Sequence, residues 1–160
     1  PIPCEPWYNA GELQLDAFFS GTYINDVFFD EDSYGGGVGL NYFFTRNIGV
    51  GVSWNLIENN FDEAISFLND GSAVHESRVD LILRGPFSTG PDDCSPTAVY
   101  LLLGGGVLTD GQNYGVYGFG GGLEHRLSAG LGIFAEGRYN VIPEIEEDYA
   151  QFRTGIRINF

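Results

Sequence analysis

The stretch from Tyr149 to Phe160, YAQFRTGIRINF, constrains the fold more tightly than any other part of the chain. Read with period two, one face carries Ala150, Phe152, Thr154, Ile156, Ile158 and Phe160, and the other carries Gln151, Arg153, Gly155, Arg157 and Asn159. A strand that is apolar on one side and doubly charged on the other needs hydrocarbon against the first face and a polar interior against the second. An edge strand of a soluble sandwich can alternate in the same way. The pattern therefore decides the fold only if the rest of the chain repeats it.

It does repeat. After a Pro-rich lead (1–9), Leu13, Leu15, Ala17, Phe19, Gly21 and Tyr23 alternate with Glu12, Gln14, Asp16, Phe18, Ser20 and Thr22. A second strand sets Tyr34, Gly36, Val38, Leu40, Tyr42 and Phe44 against glycines, Asn41 and Phe43. The turn Thr45-Arg46-Asn47 leads into a third, where Ile48, Val50, Val52, Trp54 and Leu56 oppose Gly49, Gly51, Ser53 and Asn55. The fourth runs from His75 to Arg84, with Ser77, Val79, Leu81 and Leu83 opposite Arg78, Asp80, Ile82 and Arg84. Ala98 to Leu108 reads as a fifth strand whose register is undecided, because Leu and Gly occupy both faces. Tyr117, Phe119, Gly121 and Leu123 against Gly118, Gly120, Gly122, Glu124 and Arg126 make a sixth. Leu131 to Asn140 makes a seventh, with Glu136 and Arg138 on its polar face, and the opening stretch is the eighth.

The longest apolar-plus-glycine run, Ala98 to Leu108, is too short and too rich in glycine for a spanning helix, so a membrane reading must be a barrel. The connections read as alternately long and short: the acidic stretch Ile24 to Ser33, a long loop Ile57 to Val74, a Pro/Gly-rich link Gly85 to Thr97, a short loop Thr109 to Tyr114, and Val141 to Asp148. An all-β, eight-stranded, antiparallel up-and-down transmembrane barrel over residues 11–160, preceded by a lead over 1–10, fits this arithmetic. Pro1-Ile2-Pro3-Cys4 has neither a basic start nor an apolar run, as expected of the mature form of an exported protein.

Segments such as GGGVGLNYFFTRNIGVGVSWN and FGGGLEHRLSAGLGIFAEGRYN resemble the strand–turn–strand hairpins of the OmpA/OmpX/opacity group of small outer-membrane barrels. The closing strand resembles the C-terminal signal strand of such barrels, with Phe152, Ile156, Ile158 and Phe160 as the residues read by the barrel-assembly machinery. The resemblance implies a bacterial outer-membrane location with the N-terminus in the periplasm, and contact with outer-membrane lipid and lipopolysaccharide. Counting strands from a periplasmic N-terminus brings Cys4 to the same side as Cys94. A disulfide between them then closes in an oxidising compartment, contributing at most about 4–5 kcal/mol by chain entropy; two unrelated thiols are the alternative.

Charge and aromatic placement support the barrel. Six of the seven basic residues, Arg78, Arg84, Arg126, Arg138, Arg153 and Arg157, fall on the inferred lumen face with Glu12, Asp16, Asp80, Glu124 and Glu136. An arginine facing lipid at mid-membrane costs roughly 2–4 kcal/mol, which enforces this sorting. A soluble barrel carrying an apolar ligand would show the inverse. Tyr23, Tyr34, Trp54, Tyr117 and Tyr139 border one set of connections on the outward face, and Tyr42, Phe44 and Phe160 border the other, as interfacial belts do.

These features select among functions. A formal net charge of −15 excludes nucleic acid as a partner. Eight strands enclose a space that side chains just fill, so the lumen charges read as a salt-bridged plug. A narrow channel for small solutes or ions is the alternative. Paired carboxylates such as Glu124 and Glu136 do not read as acid–base catalysts, since each has an arginine neighbour. Some barrels of this size deacylate lipid A with an outward His-x-Ser pair on a late strand. Here His125 is followed by Ser128 rather than by a serine two residues on, and the late stretch EGRYNVIPEIEED holds neither residue. No catalytic constellation, cofactor or metal site is expected; the acidic loops lack any EF-hand spacing and read as a solvated rim, with divalent-cation binding by their clustered carboxylates as the alternative. Between Asn60 and Gly71 helical spacing places Phe61, Ile65 and Leu68 on one side. With Phe28 and Phe29 they are the candidate contacts to another outer-membrane or surface protein. The expected function is non-enzymatic: a structural or surface-interaction barrel, or an accessory subunit of a larger outer-membrane assembly.

Overall fold

The computed structural model describes residues 7–23, 32–57, 74–87 and 95–160. These form eight strands: β1 (Glu12–Tyr23), β2 (Asp32–Phe43), β3 (Ile48–Ile57), β4 (Val74–Pro86), β5 (Thr97–Asp110), β6 (Gln112–Ser128), β7 (Leu131–Ile142) and β8 (Glu147–Asn159). Each pairs antiparallel with its neighbours in sequence, and β1 pairs with β8 to close the barrel. The seam runs from Gln14 opposite Asn159 to Tyr23 opposite Ala150. Beyond it the Phe160 amide donates to the Leu13 carbonyl at 2.9 Å, so the last residue still belongs to the ladder.

Closure removes every sheet edge over the common height of the strands, and the period-two pattern then sorts side chains in and out. Outward stand Leu15, Val38, Val52, Val79, Leu101, Ile133 and Ile156; inward and buried stand the charged and amide side chains. An apolar belt continuous around a barrel far exceeds what a soluble surface carries. The two aromatic rings take the expected places. Tyr23, Tyr34, Trp54, Tyr117 and Tyr139 are exposed toward one end (the far end), and Tyr42, Phe44 and Phe160 toward the end where the described residues begin and end (the terminal end). Trp54 stacks on His75, with ring centroids 5.7 Å apart.

Two sequence expectations change here. The register of β5, undecided in the sequence, places Ala98, Tyr100 and Leu102 inside and Val99, Leu101 and Leu103 outside. Tyr100 must reach the lumen carboxylates, and the inward Gly106 leaves room for an arginine from β4: a Cβ there would lie 2.9 Å from Cγ of Arg78. On β6, likewise, a Cβ on Gly122 would lie 2.7 Å from the Tyr100 hydroxyl. Second, Thr109–Tyr114 is no loop. β5 and β6 continue to a hairpin with Asp110 opposite Gln112, and Gly111, at φ +70°, supplies the left-handed turn. The alternation of long and short connections fails at this hairpin, and again at the terminal end, where 87–96 joins β4 to β5.

The lumen charge network as candidate functional site

All eleven charged residues assigned to the lumen from sequence are buried inside the barrel. The structure adds a twelfth, Glu76 on β4, fully buried. Among the described residues the lumen thus holds six carboxylates and six guanidinia. It is formally neutral, so the net charge of −15 lies outside it.

The charges form two groups. Toward the far end they make a closed alternating ring. Arg138 donates to Asp80 at 2.6 Å and to Glu136 at 2.8 Å. Arg153 lies 3.9 Å from Glu136 and 3.1 Å from Glu76. Arg78 joins Glu76 at 3.2 Å to Asp80 at 3.4 Å and closes the circuit. Toward the terminal end they make an open chain. Arg84 pairs with Glu12 at 2.8 Å, and Arg126 bridges Glu12 to Glu124. Arg157 joins Glu124 at 2.7 Å to Asp16, which it grips through Nε at 2.7 Å and Nη2 at 2.7 Å. Each group holds three acids and three bases.

Amides and phenols add further donors to the carboxylates, which lowers the cost of burying them. Asn41 donates to Asp16 at 2.8 Å, Tyr100 to Glu136 at 2.9 Å, and Tyr149 and Gln151 to Glu76 at 3.1 and 3.0 Å. Aromatic faces cover the guanidinia: Phe18 under Arg153 at 4.6 Å and Phe134 under Arg157 at 4.7 Å. The central void between the two groups measures about 20 Å³, room for about one water.

Both mouths are closed by groups that the sequence reading did not assign to them. At the far mouth Ile57, Val74, Leu108, Val116, Ile142 and Tyr149 turn inward and pack into an apolar layer above the ring. At the terminal mouth Tyr8 folds back from the lead and is 1% exposed. Its ring lies 4.6 Å from the Arg84 guanidinium and 4.3 Å from that of Arg126, and its hydroxyl donates to the Pro96 carbonyl at 2.8 Å. Burial, aided by the nearby Glu124 charge, pushes that hydroxyl well above the ordinary phenol range, so it remains a donor at every physiological pH. Two cation–π contacts and a hydrogen bond together contribute about 2 kcal/mol, the expected loss on Tyr8→Ala. Tyr8→Phe retains the ring and loses about 1 kcal/mol; urea unfolding of both variants in micelles measures the difference.

The other assignments sort as follows. Phe152, Ile156, Ile158 and Phe160 all face outward on and just beyond β8. Cys4, Cys94, Phe28, Phe29, Phe61, Ile65 and Leu68 lie outside the described residues. Among the described residues no cluster of His, Cys, Asp and Glu is placed to hold a metal ion. His125 shares a 2.8 Å hydrogen bond with Thr97. His75 and Ser77 share the outward face of β4 at the His-x-Ser spacing, a pair that the sequence reading passed over. His75 is engaged by Trp54, and among the described residues no hydrogen bond joins it to Ser77.

No protein-family model and no curated protein matches the sequence. Solved structures do match in shape. Ail, the attachment invasion locus protein of Yersinia pestis, is 16% identical at a TM-score of 0.64, over 94% of this chain and 99% of that one. The N-terminal β-barrel domain of OprF from Pseudomonas aeruginosa is 16% identical at a TM-score of 0.65, over 95% and 99%. The outer membrane protein OprG, also from Pseudomonas aeruginosa, is 12% identical at a TM-score of 0.59, over 98% and 99%. In topology, in the sorting of its two faces and in these likenesses, the chain has the fold of the small eight-stranded transmembrane β-barrels of the bacterial outer membrane.

Proposed function

We propose that this protein is a non-enzymatic outer-membrane barrel, with its N-terminus in the periplasm. It serves as a structural and surface-interaction protein or as an accessory subunit of a larger assembly. The closed lumen carries this reading. Two neutral ion-pair groups fill the interior, an apolar layer covers one mouth and Tyr8 the other, and a void of about 20 Å³ remains between them. A polar pore needs a continuous wet path, whereas here each lumen carboxylate is held by arginine. Function then falls to the far rim and the outward surface. The word attachment in the name of the Yersinia protein of this fold agrees with a surface role.

Planar-bilayer recording tests the proposal. The wild-type protein is expected to give no steady single-channel conductance, and Arg138→Ala to leave the trace flat. A steady conductance that changes on Arg138→Ala or Arg157→Ala would overturn the reading in favour of a narrow channel.

A further inference from the structure

β6 is the longest strand, with 17 residues, and its two ladders do not start together. Pairing with β5 begins at Gln112, opposite Asp110, whereas pairing with β7 begins only at Tyr117, opposite Val141. In an antiparallel sheet the N–H and C=O of one residue face the same neighbour, and successive residues face opposite neighbours. The Gly115 amide donates to Oε1 of Glu144 at 3.1 Å, on the β7 side. Asn113 presents its backbone to that side too. Among the described residues no strand covers it there. Among the described residues a short strand edge therefore stands open at the far rim, guarded at one amide by a carboxylate rather than by a strand.

The charge around this edge has one sign. Glu144 and Glu146 lie in the turn 143–146, and Glu147 and Asp148 open β8. Six arginines are sealed in the lumen, and Arg46 stands in the terminal-end turn. The far rim thus offers backbone donors and acceptors in an acidic field with no Lys or Arg of its own. Such a field attracts cationic segments and opposes acidic ones.

We propose that the open edge of β6 at Asn113 and Gly115 takes an extended, lysine- or arginine-bearing segment of a partner protein by strand addition. The incoming backbone carbonyl accepts from the Gly115 amide. That releases Glu144, whose carboxylate then pairs with a base on the incoming strand. Backbone pairing supplies affinity and the acidic rim supplies selectivity. The inference rests on the surface-interaction reading and specifies the partner's chemistry.

The test uses the full chain in lipid nanodiscs and three fluorescent peptides. They are an alternating Lys-Thr peptide, its Glu-Thr counterpart, and the Lys-Thr peptide N-methylated at every residue so that neither of its edges can donate to a ladder. The Lys-Thr peptide is expected to bind, to slow hydrogen exchange at the Gly115 amide, and to lose about tenfold in affinity on N-methylation. Asn113→Pro removes an amide that faces away from β5 and so spares the ladder. It should weaken binding by about the same factor, with the melting transition unchanged. Failure of the Lys-Thr peptide to bind overturns the proposal. So does equal binding of the methylated peptide or by Asn113→Pro, because attraction is then charge alone. If the peptides fail but the native particle, extracted in mild detergent, still carries a stoichiometric second chain, strand addition alone is rejected. A conducting barrel instead rejects the parent reading, whatever the peptides do.

Discussion

Glu76→Ala is expected to destabilise the barrel by about 3–5 kcal/mol, read as a shift in urea unfolding of the protein in lipid vesicles. Glu76 is fully buried and receives Arg78 at 3.2 Å, Arg153 at 3.1 Å, Gln151 at 3.0 Å and the Tyr149 hydroxyl at 3.1 Å. Its removal opens the ring at one node and leaves the lumen with six guanidinia against five carboxylates. Desolvation of a guanidinium was compensated by that carboxylate, and an orphaned buried charge costs several kcal/mol. The loss belongs to the broken pairing, not to ion pairs as such. Glu76→Met combined with Arg153→Met removes a base with its acid and should recover much of the loss, since apolar replacements of whole buried pairs are often neutral. Glu144→Ala on the exposed rim serves as the contrast and should cost under about 1 kcal/mol. Glu76→Ala within 1 kcal/mol of wild type, on that same scale, would mean that water enters the lumen freely enough to solvate the orphaned arginines.

Glu76 also shows what the sequence conveyed and what it withheld. The strands and their two faces were legible because alternation needs no knowledge of partners: Arg153 and Arg157 share a parity, and so do Arg78, Asp80 and Arg84. Glu76 has that parity too and was passed over at the very start of its strand. Charge balance was the available signal, since six arginines against five acids leave one base unmatched in a closed interior. The register of β5 was not legible, because Leu101, Leu102 and Leu103 satisfy either face. Only the reach of Tyr100 toward Glu136, and the room that Gly106 leaves for Arg78, fix it. Tyr8 was invisible for a different reason. It lies in a Pro-rich lead without periodicity, and its partners Arg84, Pro96 and Arg126 come together only when the barrel closes. The open edge of β6 depends on a mismatch between two ladders, and alternation within a single strand carries no record of it.

Val52→Arg carries the other large expected effect, and it tests what the outward face touches. Val52 sits midway along β3, is 49% exposed, and has Leu40 and Val79 as cross-strand neighbours. With hydrocarbon around it, a guanidinium at this height loses its hydration and finds no carboxylate, at a cost of about 2–4 kcal/mol. Ile48, on the same face, begins β3 near the Tyr42–Phe44 girdle, where an arginine extends to the interface and the cost falls to about 0–1 kcal/mol. The measurement is denaturant unfolding of both variants in lipid vesicles, with the difference between them as the readout. A soluble barrel would show no such dependence, since on a water-exposed face both substitutions stay within about 0.5 kcal/mol. Equal, small effects at Val52 and Ile48 would therefore remove the bilayer from around the belt. A gap of about 2 kcal/mol or more would locate the hydrocarbon midplane at the level of Val52. The neutral ring and chain inside the barrel then follow from the same constraint, because a sheet that gives one face to lipid has only its interior in which to hold buried arginines.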